Sequence, residues 1–177
     1  MGTPERNEVT MDLRLFWAIN SLSKRTDSLN RIMILASTKM RYIYLLALLV
    51  LWFRNKSLTR IALLSGAGSL FLGSMIRMFY FRPRPFVNKR VGILIPSKRN
   101  SSFPSKHTLL AFTVSTTILF YDRTLGVIFT CLSALTGLSR VWTGHHYPSD
   151  IIGSALIASF TSRMTLFFSL KKEQPAD

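Results

Sequence analysis

Acidic residues and cysteine are both scarce in this chain. It carries 8 Asp and Glu against 23 Lys and Arg, which gives a formal charge of +15. Between residues 28 and 170 the only acids are Asp122 and Asp150. The single cysteine, Cys131, lies inside an apolar stretch, so a disulfide framework within one chain is excluded and a core-filling role is the simplest one.

The chain also lacks a set of residues with metal-ligand spacing. Its three histidines include His145 and His146, which lie five and four residues before Asp150, but no second carboxylate is near them. The arginine-bearing segments described below supply positive charge without a divalent ion. We therefore predict metal-independent chemistry and no cofactor.

Long apolar runs without a polar face dominate the sequence. Stretches such as residues 44–53 have no polar positions at helical period, which argues against a soluble helical bundle. Because a helix needs about 20 residues to cross a bilayer, we predict an all-α integral membrane bundle of about five to six spans. The runs are residues 33–53, 61–81, 108–121, 125–138 and 151–170; the third and fourth reach this length only if their helices extend into flanking motif residues.

The two ends of the chain differ from this apolar middle. An amphipathic helix near residues 11–22, within an N-terminal segment 1–30, is predicted to lie in the membrane interface. It lacks a small-residue cleavage site and is therefore not a signal peptide. Residues 171–177 form a polar tail, and we expect one domain over residues 1–177.

The surplus of basic residues has more than one interpretation. Nucleic-acid binding is one, but here Lys and Arg flank or interrupt membrane runs, so anionic membrane lipids and a phosphate substrate explain them better. Basic residues occur on both sets of loops, so charge alone does not determine the orientation. The sequence predicts no nucleic-acid partner and gives no indication of an oligomeric state.

Three short polar segments interrupt the apolar sequence. They are residues 77–85, 104–107 and 139–150. Charged and polar groups are costly in such surroundings, which favours a function. Alternation of the spans puts the long loop 82–103 and residues 140–148 on one membrane face, so the segments are predicted to converge.

The first segment supplies arginines. Guanidinium groups remain charged and bind phosphate through two hydrogen bonds, which makes Arg77 and Arg84 candidate phosphate ligands. Arg77, near the end of a span, has the alternative of extending to the interface. Arg84 is held between Pro83 and Pro85, and Arg82 is interpreted as a rim residue.

The second segment precedes an apolar run. Ser105 is predicted to be the N-cap of the next helix, with Lys106 and His107 in its first turn. Free amide groups at a helix start bind anions. His107 beside a bound phosphate can protonate a leaving oxygen. The alternatives are that Ser105 only caps the helix and that His107 is an ordinary interfacial residue.

The third segment is the most specific. His146 and Asp150 are four residues apart, and Pro148 between them sets a helix start. Asp150 can accept a hydrogen bond from one imidazole nitrogen and leave the other as a nucleophile. Arg140 is a third candidate phosphate ligand. His145 is interpreted as structural.

Together these segments resemble the three-part signature of the type 2 phosphatidic acid phosphatase (PAP2) superfamily. The signature is a basic residue, six others and Arg-Pro; Pro-Ser-x-His; then Ser-Arg, five others, His, three others and Asp. Arg77 stands where the commonest pattern has Lys, and Lys106 where it usually has Gly. The phrases around the motifs look most like the bacitracin-resistance branch of undecaprenyl-diphosphate phosphatases.

The resemblance implies an activity and roles for the candidate residues. His146 would form a phosphohistidine, oriented by Asp150, and His107 would protonate the leaving group. The phosphoryl oxygens would be held by Arg77, Arg84, Ser105 and Arg140, with Lys106 an added cation.

It also implies a substrate and a location. The substrate would be a polyprenyl diphosphate, and the active site would face the outside of a bacterial plasma membrane. The rival hypotheses are a phosphatase for phosphatidylglycerol phosphate, phosphatidate or a related phospholipid, and a non-catalytic protein that binds anionic lipids.

Overall fold

The computed structural model describes residues 11–23, 27–88, 91 and 93–173. The expected segments at residues 1–10 and 24–26, and the end of the polar tail at 174–177, lie outside the described residues. The described residues form seven helices: α1 (Met11–Leu22), α2 (Asp27–Arg54), α3 (Lys56–Phe79), α4 (Pro85–Asn88), α5 (Lys106–Tyr121), α6 (Arg123–Trp142) and α7 (Pro148–Glu173).

Each of the five apolar runs is helical. Among the described residues, four helices are long and apolar enough to cross a membrane: α2, α3, α6 and the part of α7 up to residue 171. The fourth run reaches this length because α6 extends into the third motif. The third run, α5, has 16 residues, fewer than the roughly 20 that span a bilayer. The all-α bundle is confirmed, with four candidate spans among the described residues instead of the predicted five to six.

The outer surfaces of the long helices are strongly apolar. Large side chains there are exposed rather than packed, as a lipid-facing surface requires. Examples from α2, α3 and α7 are Leu46, Phe53, Leu64, Phe71, Leu156, Phe160 and Phe168.

Local sequence signals set the helix ends. Asn55 and Asp122 are N-caps of α3 and α6, and their side chains accept hydrogen bonds from the amides of Leu58 (3.0 Å) and Leu125 (2.9 Å). The second apolar run was expected to continue to residue 81, but α3 ends at Phe79. Tyr80 is already extended, with φ = −132° and ψ = 105°, and the chain stays out of the helix as it approaches Pro83, since the residue before a proline disfavours the α region.

Helix α5 lies at the centre of the bundle. It packs mainly against α3, α6 and α7, and its buried face is rich in threonine and serine. Ser69 of α3 contacts Thr113 through a hydroxyl–hydroxyl hydrogen bond of 3.1 Å, and the Ser162 hydroxyl of α7 donates to the Thr113 carbonyl at 3.3 Å. Small polar residues of this kind let membrane helices approach closely while their hydroxyls remain bonded.

Helix α1 packs against the ends of α6 and α7. Phe16 is fully buried against Val141 and Tyr147, and the Asn20 amide donates to the Trp142 carbonyl at 2.8 Å. The N-terminal amphipathic helix is therefore confirmed as a helix, and its apolar face is occupied by the segment that carries the third motif.

Candidate active site

The three polar segments meet at one end of the bundle. The end of α3, the long loop, the start of α5 and the end of α6 surround a cavity of about 190 Å³. Six of the eight predicted site residues line it, together with three loop residues that the sequence analysis did not single out. The lining residues are Arg77, Arg84, Ser97, Lys98, Asn100, Lys106, His107, Arg140 and His146.

The cavity is strongly positively charged. Among the described residues, its lining includes five basic side chains and no carboxylate. Clustered cations with low-dielectric surroundings attract anions and bind phosphoryl oxygens strongly. The cavity is therefore suited to a phosphate group.

Arg84 is held in place by the long loop and by the third motif. Its Nε donates to the side-chain oxygen of Asn100 at 3.0 Å, and its Nη1 donates to the carbonyl of His145 at 3.2 Å. The prolines on either side restrict the backbone. This fixes a guanidinium against the cavity without consuming all of its donors.

Arg140 and Arg77 have free donors as well. Arg140 Nη1 donates to the Ser37 hydroxyl of α2 at 2.7 Å, while Arg77 Nη2 donates to the carbonyl of Pro104. The Nε atoms of both arginines are buried and have no hydrogen-bond partner within the described part of the chain. Unpaired buried donors beside a cavity are poised for an anionic ligand.

A tight turn after α6 presents the two histidines. The amides of His145 and His146 both donate to the carbonyl of Arg140, at 3.0 and 3.3 Å. Gly144 adopts φ = 81°, a left-handed conformation that only glycine accepts readily. The turn therefore directs the His146 ring into the bundle, next to Arg84.

The two nitrogens of His146 face different groups. Nε2 is 3.4 Å from Arg84 Nη1, and Nδ1 is 3.8 Å from Asp150 Oδ2. A guanidinium can only donate, so an attractive contact requires an unprotonated Nε2 and a proton on Nδ1. This tautomer leaves the lone pair of Nε2 at the cavity.

The surroundings also keep His146 neutral. Burial, reinforced by Arg84 and Arg140, lowers its pKa to about 4, although Asp150 acts in the opposite direction. A neutral imidazole is a nucleophile, whereas an imidazolium is not.

Asp150 is completely buried, and both of its carboxylate oxygens accept hydrogen bonds. Oδ1 accepts from Arg82 Nη1 at 2.6 Å, and Oδ2 accepts from the Ser102 hydroxyl and from the Tyr147 amide, the latter at 2.9 Å. The 3.8 Å gap to His146 is longer than a hydrogen bond, in contrast to the expected direct bond, because other donors occupy Oδ2. Such contacts are often long before substrate binds.

Ser105 is the N-cap residue of α5, but its side chain does not cap the helix. Its hydroxyl accepts from Thr108 at 3.1 Å and its amide donates to Ser154 at 2.8 Å. Ser105 is fully buried and does not line the cavity. The first turn of α5 does bring Lys106 and His107 to the cavity.

His145 lies behind the cavity rather than in its lining. It is buried, its Nδ1 is 2.9 Å from the Thr143 hydroxyl, and its ring packs edge-on against Phe86. These contacts satisfy the ring within the turn.

Sequence reasoning missed the partners of Asp150. Arg82, interpreted as a rim residue, bridges Asp150 and Asp12, with 2.6 Å to each carboxylate. A buried carboxylate at the start of an apolar run requires a cation, and Arg82 is the remaining arginine of the first segment. The need of Asp150 for a nearby cation was the sequence feature from which its pairing with Arg82 could have been predicted.

No group of three or more histidine, cysteine and acidic side chains able to hold a metal occurs in the part of the chain that the structure describes. Metal independence remains a prediction.

An apolar groove adjoins the polar cavity. It has a volume of about 340 Å³, lies between α2 and α5, and shares Lys106 and His107 with the cavity. We call it the tail groove. Its remaining lining residues are Ala36, Ser37, Met40, Arg41, Tyr44, Leu45, Leu48, Leu110, Ala111, Val114 and Thr136.

Comparisons with known proteins agree with this geometry. The model of the PAP2 superfamily matches residues 58–173. The undecaprenyl-diphosphatase BcrC of Bacillus subtilis is 36% identical over 163 residues, covering 90% of this chain and 84% of that protein. Among solved structures, LpxE of Aquifex aeolicus superposes with a TM-score of 0.79 at 26% identity, covering 90% of this chain and 97% of that one.

A second solved structure supports the fold alone. The PAP2-type phosphatidylglycerolphosphate phosphatase of Bacillus subtilis superposes with a TM-score of 0.68 at 18% identity, covering 92% of this chain and 88% of that one. The chain therefore belongs to the PAP2 superfamily and is a multi-pass membrane protein.

Proposed function

We propose that this PAP2 phosphatase hydrolyses undecaprenyl diphosphate to undecaprenyl phosphate and inorganic phosphate, which recycles the cell-wall lipid carrier. The observation that carries the proposal is the placement of His146, whose Nε2 lies beside Arg84 at a cavity whose lining includes five basic side chains. The similarity to an undecaprenyl-diphosphatase over 90% of the chain supports the choice of substrate.

The reaction would proceed in two displacements. Nε2 of His146 attacks the terminal phosphorus. The bond from phosphorus to the bridging oxygen breaks as His107, which takes up a proton when the bound diphosphate offsets the surrounding cations, gives that oxygen the proton. A phosphohistidine results and the lipid monophosphate leaves. Water, deprotonated by His107, then attacks phosphorus, and inorganic phosphate departs from His146.

The cations would act on the charge that develops on the phosphoryl oxygens. Arg77, Arg84 and Arg140 present guanidinium groups to the cavity from three different elements, and Lys106 adds an ammonium. Preorganised charges of this kind stabilise the transition state without reorganising. Ser105 would contribute through the helix start that it forms, since its own hydroxyl is bonded to Thr108.

The tail groove supports a lipid substrate. It is apolar and shares Lys106 and His107 with the polar cavity, so a headgroup in the cavity leaves its hydrocarbon chain beside the groove. In a bilayer or a micelle the chain is already out of water, so the groove stabilises it through packing contacts rather than through a transfer from water. A lipid phosphate would therefore bind better than its soluble headgroup.

The first experiment measures phosphate release from undecaprenyl diphosphate in detergent with EDTA present, for the wild type and His146→Ala. We expect turnover by the wild type and none by the variant. Turnover that stops in EDTA and returns with Mg²⁺ or Zn²⁺ would contradict metal independence. Equal turnover by both proteins would contradict the histidine mechanism.

A phosphatase for phosphatidylglycerol phosphate or a related phospholipid is the second candidate. The superposition with a phosphatidylglycerolphosphate phosphatase is a likeness of fold, but the same cavity chemistry suits that headgroup. Assays with both lipids side by side distinguish the two. Turnover of the phospholipid alone would keep the site and change the substrate.

We further propose that the cavity opens on the extracytoplasmic face of a bacterial plasma membrane. Lys98→Cys in a Cys131→Ser background puts a single thiol at the cavity, and Arg54→Cys in the same background puts one at the opposite end. A membrane-impermeant maleimide added to intact cells is expected to label the first and not the second. The reverse labelling would contradict this orientation.

A further inference from the structure

Arg82 connects the third motif to helix α1. One guanidinium nitrogen donates to Asp150 Oδ1 and the other to Asp12 Oδ2, each at 2.6 Å. The face of the group lies over the Tyr147 ring at 4.2 Å. Arg82 itself is not among the residues that line the phosphate cavity.

Asp12 completes this arrangement from α1. Its carboxylate accepts from the Ser149 amide at 2.9 Å and from the Ser149 hydroxyl at 2.7 Å, in addition to Arg82. Ser149 immediately precedes Asp150 in the first turn of α7. Asp12 therefore fixes both the cation that holds Asp150 and the backbone that carries it.

A carboxylate can rotate about its last bond, and rotation would turn Oδ2 away from His146. Arg82 on Oδ1, with Ser102 and the Tyr147 amide on Oδ2, uses both oxygens and removes that freedom. The fork of an arginine can bridge two carboxylates, whereas a lysine provides a single point charge.

We propose that Arg82 is a positioning residue for the Asp150–His146 pair, and that Asp12 of α1 acts through it. This inference rests on the proposed role of His146 as nucleophile. Arg82 would affect the chemical step and not the affinity for phosphate. A role as a phosphate ligand, like that of Arg84, would affect both.

The experiment compares Arg82→Gln with Arg84→Gln, with Arg14→Gln as the control, since Arg14 is an exposed arginine of α1. Misplacing a catalytic group by about 1 Å costs on the order of 10²-fold in rate. We expect Arg82→Gln to lower kcat by that factor with KM and inhibition by inorganic phosphate unchanged. Arg84→Gln is expected to weaken inhibition by phosphate, and Arg14→Gln to change nothing.

Arg82→Lys provides a graded test. The charge is kept but only one carboxylate can be reached, so kcat is expected to lie between those of the wild type and Arg82→Gln. If Arg82 acted only through its size, kcat would not decrease in the order wild type, Arg82→Lys, Arg82→Gln.

Asp12→Asn tests the connection to α1 and avoids leaving Asp150 without its cation. We expect a several-fold loss of kcat, with Asp27→Asn on the exposed start of α2 as the matched control. In the Arg82→Gln background the same substitution should have a smaller effect, because coupled residues are non-additive. If Arg82→Gln does not fold, Asp12→Asn alone decides the outcome.

Three results would overturn the inference: an unchanged kcat in both Arg82→Gln and Asp12→Asn, a loss of phosphate inhibition in Arg82→Gln equal to that in Arg84→Gln, or full additivity of the two substitutions. A wild type without turnover on any lipid phosphate would instead contradict the proposed function.

Discussion

The imidazole of His146 and the guanidinium of Arg84 are direct neighbours, with 3.4 Å between Nε2 and Nη1. Both groups are buried, and an arginine beside an imidazole is tolerated only while the ring is neutral. A phosphate in the cavity would contact both groups, with its oxygens accepting from the guanidinium and its phosphorus facing Nε2. The pair therefore joins the proposed nucleophile to the cation that would hold its target.

Arg84→Lys tests the geometry of this pair. The charge remains, but the lysine cannot donate to Asn100, His145 and a phosphate together. Charge-assisted hydrogen bonds contribute about 1.5–3 kcal/mol each, so kcat/KM is expected to fall about 10- to 100-fold. Arg99→Lys, at an exposed position of the same loop, is the control. Equal activity of Arg84→Lys and wild type would show that only charge is needed.

Asp150→Asn tests the orientation of His146. The substitution keeps the size of the side chain but removes the charge that faces Nδ1, so the other tautomer becomes accessible. We expect kcat to fall by about 10³-fold or more. Asp122→Asn is the control, because Asn also caps helices and Asp122 lies at the N-cap of α6. Normal phosphohistidine formation by Asp150→Asn would rule out the orienting role.

The pH dependence of kcat/KM reports on the free enzyme. The pKa of His146 is lowered to about 4 rather than raised, so the ring is neutral at every pH above that value and protonated only below it. We expect the acid limb assigned to His146 to lie near pH 4, after correction for the ionisation of the substrate. An acid limb near 6.5, the ordinary imidazole value, would contradict this environment.

The tail groove predicts a dependence on chain length. Leu45→Trp puts a larger side chain into the groove, whereas Leu49→Trp, one turn further along α2, lies outside the groove lining. Each atom-to-atom packing contact contributes about 0.1–0.2 kcal/mol, so losing several of them should raise KM about threefold to fivefold for the long-chain diphosphate. KM for a diphosphate with three isoprene units should change little. A parallel rise for both substrates would show that the groove does not hold the chain.

Two glycines test the packing around α5. A Cβ on Gly126 would lie 2.2 Å from the Cα of Leu119, whereas one on Gly66 would be 3.8 Å from the nearest atom, in Leu110. We expect Gly126→Ala to destabilise the protein by about 1–3 kcal/mol. Gly66→Ala should be neutral or stabilising because alanine favours helices. Thermal unfolding in detergent measures both, and equal midpoints would contradict the close contact of α5 with α6.

Helix positions follow from the sequence because apolar runs in a membrane must satisfy their own backbone hydrogen bonds. The N-terminal helix was predicted at residues 11–22 and occurs at Met11–Leu22. The end of α3 and the four-residue helix α4 were not predicted, since proline-rich loops have no periodic pattern to interpret.

The sequence by itself determined which residues could meet. The three segments contain the arginines, His107, His146 and Asp150, and alternation of spans places the segments at one end. Local spacing also places His146 four residues before Asp150, in the turn that precedes α7. These relationships join residues that are close in sequence, or they depend only on how many helices separate the segments.

Only the tertiary structure decided how each group is used. Arg82 pairs with Asp150 across 68 residues and with Asp12 across 70, and no local pattern encodes such distances. Ser105 turns to Thr108 instead of the cavity because α7 packs against its amide through Ser154. Partners of buried polar groups are chosen by packing between helices, which the sequence of one segment does not contain.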